Sequence, residues 1–258
     1  MRKDHRPYFV KRAYLKFQQF YVRRFLRPQF ESLGTGCFFV KPWHVELFGS
    51  PIILGDYATV FASADKKVRL SIWSEKKGQG RIQIGDYCLI SPSVRISSAS
   101  EIIIGDACMI ASHAYITDAD WHGVYDRVST GKTAPVKLAE NVWIGDSAII
   151  CKGVSIGENS IVGAGAVVVN DVPANVIAAG NPAKVVKTLD PGQKITPRSQ
   201  WYSDPARLGE ELDVWDIARR QYDAGMATVF SDAKPKGLSQ LFLPSKLLTF
   251  SSSSCSVP

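Results

Sequence analysis

Four histidines occur among 258 residues, and one stands in a stretch rich in groups that move protons. His122 lies in the run Thr117-Asp-Ala-Asp-Trp-His-Gly-Val-Tyr-Asp-Arg127. An imidazole of ordinary pKa is mostly neutral near pH 7 and can take a proton from a hydroxyl or amine, so His122 reads as a general base. Asp118 and Asp120 are near enough in sequence to orient it or raise its basicity, and Asp120 is paired with it here as a catalytic candidate. The aromatic rings of Trp121 and Tyr125 suit the face of a pyranose. His113, in Ala111-Ser-His-Ala-Tyr115, is a second candidate base and better suited to lining a cleft, together with Tyr115. His5 and His44 are given no role.

The residues that must carry this stretch repeat every six positions. Aliphatic side chains recur at Leu138, Ile144, Ile150, Ile156, Val162 and Val168, and glycine follows three of them as Gly145, Gly157 and Gly163. Small or β-branched residues, such as Val142, Ala148 and Val154, stand two places earlier. A helix repeats at about 3.6 residues and a plain strand at 2. Six suits short strands joined by tight corners, with one residue in six pointing inward and glycine relieving the bend. This is the hexapeptide signature of a parallel β-helix, an all-β solenoid. The phase runs upstream through Ile110 and Ile116, Ile84, Ile90 and Ile96, and Leu54 and Val60, slipping by two before Ile104. From Ile116 to Leu138 no multiple of six fits, so residues 117–135 are expected to leave the coil as a loop carrying His122. Residues 64–82, with Val68, Leu70 and Ile72 alternating before a glycine-bearing turn, read as strand-forming residues with a turn, an extended excursion being one form they could take.

Charge divides the chain. The first 27 residues hold nine Lys and Arg against Asp4 alone, while the whole chain is +7, so the body is close to neutral. Val10, Tyr14, Phe17, Tyr21 and Phe25 share one face of a helix over residues 1–30, with Arg12, Lys16, Arg23 and Arg27 opposite. Such a helix has the composition to lie on an anionic membrane; equally, its aromatic face can cap the open end of the coil, and the two uses are compatible. A neutral body argues against nucleic acid. Charged residues interrupt every apolar run near the N-terminus, and no stretch of about 18 apolar residues occurs, so neither a secretory signal nor a membrane span is expected. The five cysteines show no close pairing, and Cys88 and Cys108 take the small inward position of the repeat, which points to core and to a cytoplasmic compartment. Residues 31–188 are assigned to the coil. Residues 189–258 are assigned to a helical extension over about 204–222 and a loose tail.

The run from Pro135 to Lys187 contains NVWIG (141–145), VGAGAVV (162–168) and AAGNPAKVV (178–186). On these motifs the chain resembles the hexapeptide-repeat acyltransferases, most closely the galactoside, maltose and nodulation-factor O-acetyltransferase branch, over roughly residues 82–188. The resemblance implies a left-handed coil and a homotrimer with active sites between subunits. It also implies an acetyl-coenzyme A cosubstrate laid along the coil, with no metal. It implies that His122 is the catalytic histidine and that Trp143 flanks the pantetheine arm. Ala164 then holds the pantetheine amides through its backbone, Val169 and Asn170 follow it along the cofactor, and Lys184 and Lys187 meet the phosphates. Asp146 stands where relatives often carry serine, and Ser91 where the sugar enzymes carry asparagine.

The expected function is therefore acetyl transfer to a hydroxyl of a sugar, in a cell-envelope glycan or its lipid-linked precursor. The basic helix would bring the protein peripherally to the inner membrane surface. An amino sugar or antibiotic amine could use the same base. Two other classes share the coil: a catalytically silent scaffold, and a γ-type carbonic anhydrase, which needs three histidine ligands where only His113 and His122 are suitable.

Overall fold

The computed structural model describes residues 8–74, 79–129 and 131–202. The coil has three sheets of stacked parallel strands. The first runs through Ser32–Leu33, Ile52–Leu54, Ile82–Ile84, Ile102–Ile104, Val136–Leu138 and Ser155–Ile156. The second runs from Phe38–Val40 through Leu89–Ile90, Met109–Ile110 and Trp143–Ile144 to Val176–Ala179, where Lys184–Thr188 turns back antiparallel. The third runs through Val45–Phe48, Val68–Ile72, Arg95–Ser98, Tyr115–Thr117, Ile149–Ile150 and Val167–Val168. Together they wind as a left-handed parallel β-helix.

The six-residue period is the inward column. Ile84, Ile90, Ile96, Ile104, Ile110, Ile116, Leu138, Ile144, Ile150 and Ile156 are all at most 2% exposed. Each such side chain contributes roughly 1.5–3 kcal/mol on leaving water, which is the main favourable term in so narrow a core. The glycines act differently from the expectation. A Cβ on Gly145 would come within 2.6 Å of Ala164 N and 2.7 Å of Val162 O, so glycine is required there because the next coil passes against it. The left-handed backbone falls two residues later, at Ser147 (φ 58°), as it does at Asn159 (φ 59°) after Gly157. Asparagine tolerates that conformation, and Asn141, Asn159 and Asn175 link successive corners by side-chain amide hydrogen bonds of 2.9 Å.

Within residues 64–82 the alternating stretch forms the expected strand, and that strand stays in the coil rather than leaving it. Val68–Ile72 pairs in parallel with Val45–Phe48 and Arg95–Ser98, so this segment continues the third sheet. Its alternation is that of a strand buried on one side only: Val68, Leu70 and Ile72 face inward, and Arg69 and Ser71 outward. The four cysteines among the described residues are free, and Cys88 and Cys108 are buried as expected. Their thiols donate to Gly105 O and Ala139 O at 3.2 and 3.1 Å. Burial pushes the Cys37 thiol up to about 11, so it remains a thiol at any physiological pH.

The N-terminal helix, Tyr8–Tyr21, continues as a π-turn over Val22–Leu26 and a 3₁₀ turn over Arg27–Gln29. It caps the coil. Trp43 receives Tyr14, Phe17 and Tyr21 at ring-centroid distances of 6.0, 5.8 and 5.9 Å. The buried Gln18 carbonyl accepts the Lys41 N–H at 2.6 Å. Phe9 and Phe20 face outward, 72% and 53% exposed. No helix among the described residues is long and apolar enough to cross a membrane. At the other end of the described chain, Tyr202 packs back on Tyr57 and Tyr87 at 5.4 Å. The helix expected over 204–222 and the tail lie outside the described residues. Replacing Trp43 with alanine removes three ring contacts and is expected to cost about 2–3 kcal/mol in urea unfolding. It should also open the helix to trypsin at Arg12 and Lys16 before the coil is cut.

Candidate active site

The loop carrying His122 leaves at the corner between the third and first sheets and is held there by a buried carboxylate. Asp118 is fully buried; it accepts from the Ser98 hydroxyl at 2.7 Å, Ala99 N–H at 2.6 Å and Ser100 N–H at 2.9 Å. The slip of two in the hexapeptide count falls at this corner, where the additional residues wrap the carboxylate. Asp118 is thus a structural anchor rather than an orienting group for His122. Beyond it the loop rises as a narrow antiparallel ribbon. Ala134 N–H donates to Asp118 O, and Asp120 and Lys132 are joined at 2.9 Å. Gly131 is required, because a Cβ there would lie 2.6 Å from the carbonyl oxygens of both Asp120 and His122.

The tip is closed by Gly123 N–H on Ser129 O, 2.9 Å, and by Asp126, whose carboxylate accepts from Val128 N–H at 3.0 Å. That backbone bond, with those from the Ser129 side chain and N–H, holds the Asp126 carboxyl below the usual carboxylate range. A lowered carboxyl pKa favours the closed tip at neutral pH, and the advantage is lost as pH falls through the lowered value.

His122 is exposed, and its Nδ1 lies 3.0 Å from Arg127 O. A carbonyl only accepts, so Nδ1 carries the proton and Nε2 is left with its lone pair outward. Asp120, expected beside His122, is instead paired with Lys152 at 2.8 Å. The group that orients the imidazole is therefore the Arg127 carbonyl, a backbone atom that side-chain types cannot reveal. Trp121 turns onto the outer face of the third sheet, where its indole N–H donates to the Tyr115 hydroxyl at 3.0 Å. Arg95, one coil earlier at the same register, lies over the Tyr115 ring at 4.3 Å. Arg95 escaped the sequence reading, although it precedes Ile96 as Tyr115 precedes Ile116 and so shares its outward phase. Tyr125 is wholly exposed at the tip, flanked by Val124 and Val128, 68% and 96% exposed.

The remaining expected residues are spread over the second sheet and the two edges of the third. On the edge shared with the second sheet, His113 holds a corner at φ 61° and its Nδ1 lies 3.6 Å from an Asp146 carboxylate oxygen. Ser91 begins the equivalent corner one coil earlier, and Ala164 stands exposed two coils later, one beyond Asp146. Trp143 is half-buried in the second sheet between Met109 and Ile161. Val169 and Asn170 are exposed on the opposite edge, after the last strand of the third sheet. Lys184 and Lys187 are exposed on the antiparallel strand that ends the second sheet. One protomer thus gathers His113 with Asp146, and Tyr115 with Trp121 beside His122, and leaves the two groups on different edges. No three His, Cys, Asp or Glu side chains converge as a metal site among the described residues.

Residues 135–170 match the family described as bacterial transferase hexapeptide (six repeats). Over those residues the coil carries the hexapeptide repeat of that family. The galactoside O-acetyltransferase of Escherichia coli is 33% identical over 113 residues, 44% of this chain and 47% of that protein. The galactoside O-acetyltransferase of Lactococcus lactis is 28% identical over 179 residues, 66% and 72% of the two chains. The chain spans about half the length of the curated relatives it matches. Among solved structures, a variant of AntD, an N-acyltransferase from Bacillus cereus in complex with dTDP-4-amino-4,6-dideoxyglucose and coenzyme A, has a TM-score of 0.53. It is 22% identical and covers 65% of this chain and 89% of that one, a likeness of fold. In this hexapeptide coil the matched repeat begins where the His122 loop rejoins the body.

Asp118→Ala should strip three donors of their acceptor at a buried corner, a loss of about 2–4 kcal/mol. Urea unfolding with far-UV and tryptophan signals would register it. The Lys152→Met variant, which removes only a partly exposed ion pair, should shift stability by less than about 1 kcal/mol.

Proposed function

We propose that the chain is an acetyl-coenzyme A-dependent O-acetyltransferase acting on a sugar hydroxyl, in a cell-envelope glycan or its lipid-linked precursor. The observation that carries this reading is His122 on its loop, with Nδ1 toward the Arg127 carbonyl and Nε2 outward. His122 Nε2 takes the proton of the acceptor hydroxyl as its oxygen attacks the thioester carbonyl. The same nitrogen returns that proton to sulfur as the carbon–sulfur bond breaks. General-base assistance of this kind is worth on the order of 10²–10⁴ in rate, and alignment of the two reactants supplies much of the remainder.

The cosubstrate brings the activated acyl thioester. The residues proposed for it fit its chemistry: Ala164 is exposed beside Gly165, around which space is open, so the main chain there is accessible to amides. Lys184 and Lys187 offer solvent-facing ammonium groups to phosphates. Trp143, Asp146, Val169 and Asn170 complete the proposed path. A homotrimer would cover the apolar tip formed by Val124, Tyr125 and Val128, which a soluble monomer leaves in water. It would also bring one protomer's His122 loop to another's cofactor edge. The outward Phe9 and Phe20, with Arg12, Lys16, Arg23 and Arg24 around them, support peripheral contact of a cytoplasmic protein with the inner membrane surface.

His122→Ala should lower turnover by roughly 10²–10⁴ while acetyl-coenzyme A binding stays within about twofold. Coenzyme A release across a panel of sugar acceptors, paired with calorimetric titration of acetyl-coenzyme A, tests both halves. Near-normal turnover in that variant would sink the role of His122.

A further inference from the structure

On the amino-terminal side of the loop, the corner between the second and third sheets holds a hollow of about 450 Å³. Among its walls are Asp65, Lys67, Arg69, Ser93, Arg95 and His113. Its charges are unevenly matched. Glu46 serves both Lys67 and Arg69, at 2.5 and 2.6 Å, one carboxylate against two cations. Those two partners hold the Glu46 carboxyl below its ordinary range, so Glu46 remains ionised and committed to them. Asp65 accepts from the Ser63 hydroxyl at 2.8 Å. The Asp146 carboxylate faces His113 from the neighbouring corner. Arg95 has no carboxylate partner among the described residues. Its guanidinium instead lies over the Tyr115 ring, 4.3 Å from the centroid. A guanidinium stacked on an aromatic face keeps a fixed plane and leaves its N–H edge free for a planar or tetrahedral oxyanion.

Contacts lead from this cation to the residue that precedes His122 in the chain. Arg95 rests on Tyr115, the Tyr115 hydroxyl takes the Trp121 N–H at 3.0 Å, and Trp121 adjoins His122. The hollow also lies on the coils before the loop, whereas the residues proposed for coenzyme A run from Trp143 to Lys187 on the coils after it. Donor and acceptor must meet at His122 without sharing a site, and none of the residues proposed for coenzyme A lines the hollow. An anion bound at Arg95 therefore belongs to the acceptor.

We propose that this hollow is an oxyanion subsite, with Arg95 its principal contact, and that the acceptor is a sugar bearing a carboxylate or a phosphate. Only the word acceptor rests on the acetyl-transfer reading; the subsite itself does not. Three probes test it on the full chain: methyl β-D-glucuronide, D-glucose 6-phosphate and neutral methyl β-D-glucoside. Each is titrated calorimetrically and then assayed for coenzyme A release. At least one anionic sugar should bind tenfold or more tightly than the glucoside, and the better of the two tells carboxylate from phosphate. In Arg95→Gln the advantage should vanish, with acetyl-coenzyme A affinity and the melting temperature unchanged, and Arg95→Lys should restore part of it. Equal affinity for charged and neutral sugars, or an advantage that survives Arg95→Gln, overturns the subsite. Anion-selective binding without turnover of any probe leaves the subsite standing and counts against acetyl transfer.

Discussion

Everything in this molecule depends on how closely one coil's backbone lies upon the next. The hydrogen bonds of the three sheets run along the coil axis, so each corner must stack on the corner before it. At Gly145 the neighbouring main chain passes where a side chain would begin. The aliphatic column holds the inside of this stack, and the αL residues at Ser147 and Asn159 let each corner turn without strain on the ladder. The result is a rigid prism whose outward positions are fixed in register over many coils. Side chains far apart in sequence, such as Arg95 and Tyr115, become neighbours because strand pairing brings them together.

Rigidity of that kind makes the one large interruption informative. A loop can leave a stacked coil only if the coil closes again beneath it, and Asp118 performs that closure by taking the three donors of the Ser98–Ser100 corner. The ribbon above then fixes the backbone of His122 through Gly131, and the Arg127 carbonyl sets the imidazole tautomer. Orientation of the His122 imidazole is thus achieved by main-chain groups. The acidic side chains nearby are spent on holding the loop: Asp118 at the base, Asp120 with Lys152 along the side, and Asp126 at the tip.

The limits of the sequence reading follow the same physics. Hexapeptide phase located the inward column, the free core cysteines and the point at which residues leave the coil, because one-sided burial writes a period into the chain. It read Val68, Leu70 and Ile72 as strand-forming but left open an excursion from the coil, since an added corner insertion shifts the phase without breaking the strand pairing. It gave His122 an acidic partner by proximity in the chain. In three dimensions Asp118 is taken by the donors of the Ser98–Ser100 corner and Asp120 by the Lys152 ammonium. Arg95 had the right phase to be noticed, and only its contact with Tyr115 gave that phase a meaning.

The sequence alone determined the solenoid, its aromatic-faced N-terminal helix and the position of the His122 break, because each rests on local periodicity or composition. The tertiary structure decided which atoms meet: Arg127 O with His122, Lys152 with Asp120, Arg95 with Tyr115. Those pairings depend on coil register and on the path of a folded loop, quantities that no spacing along the chain encodes.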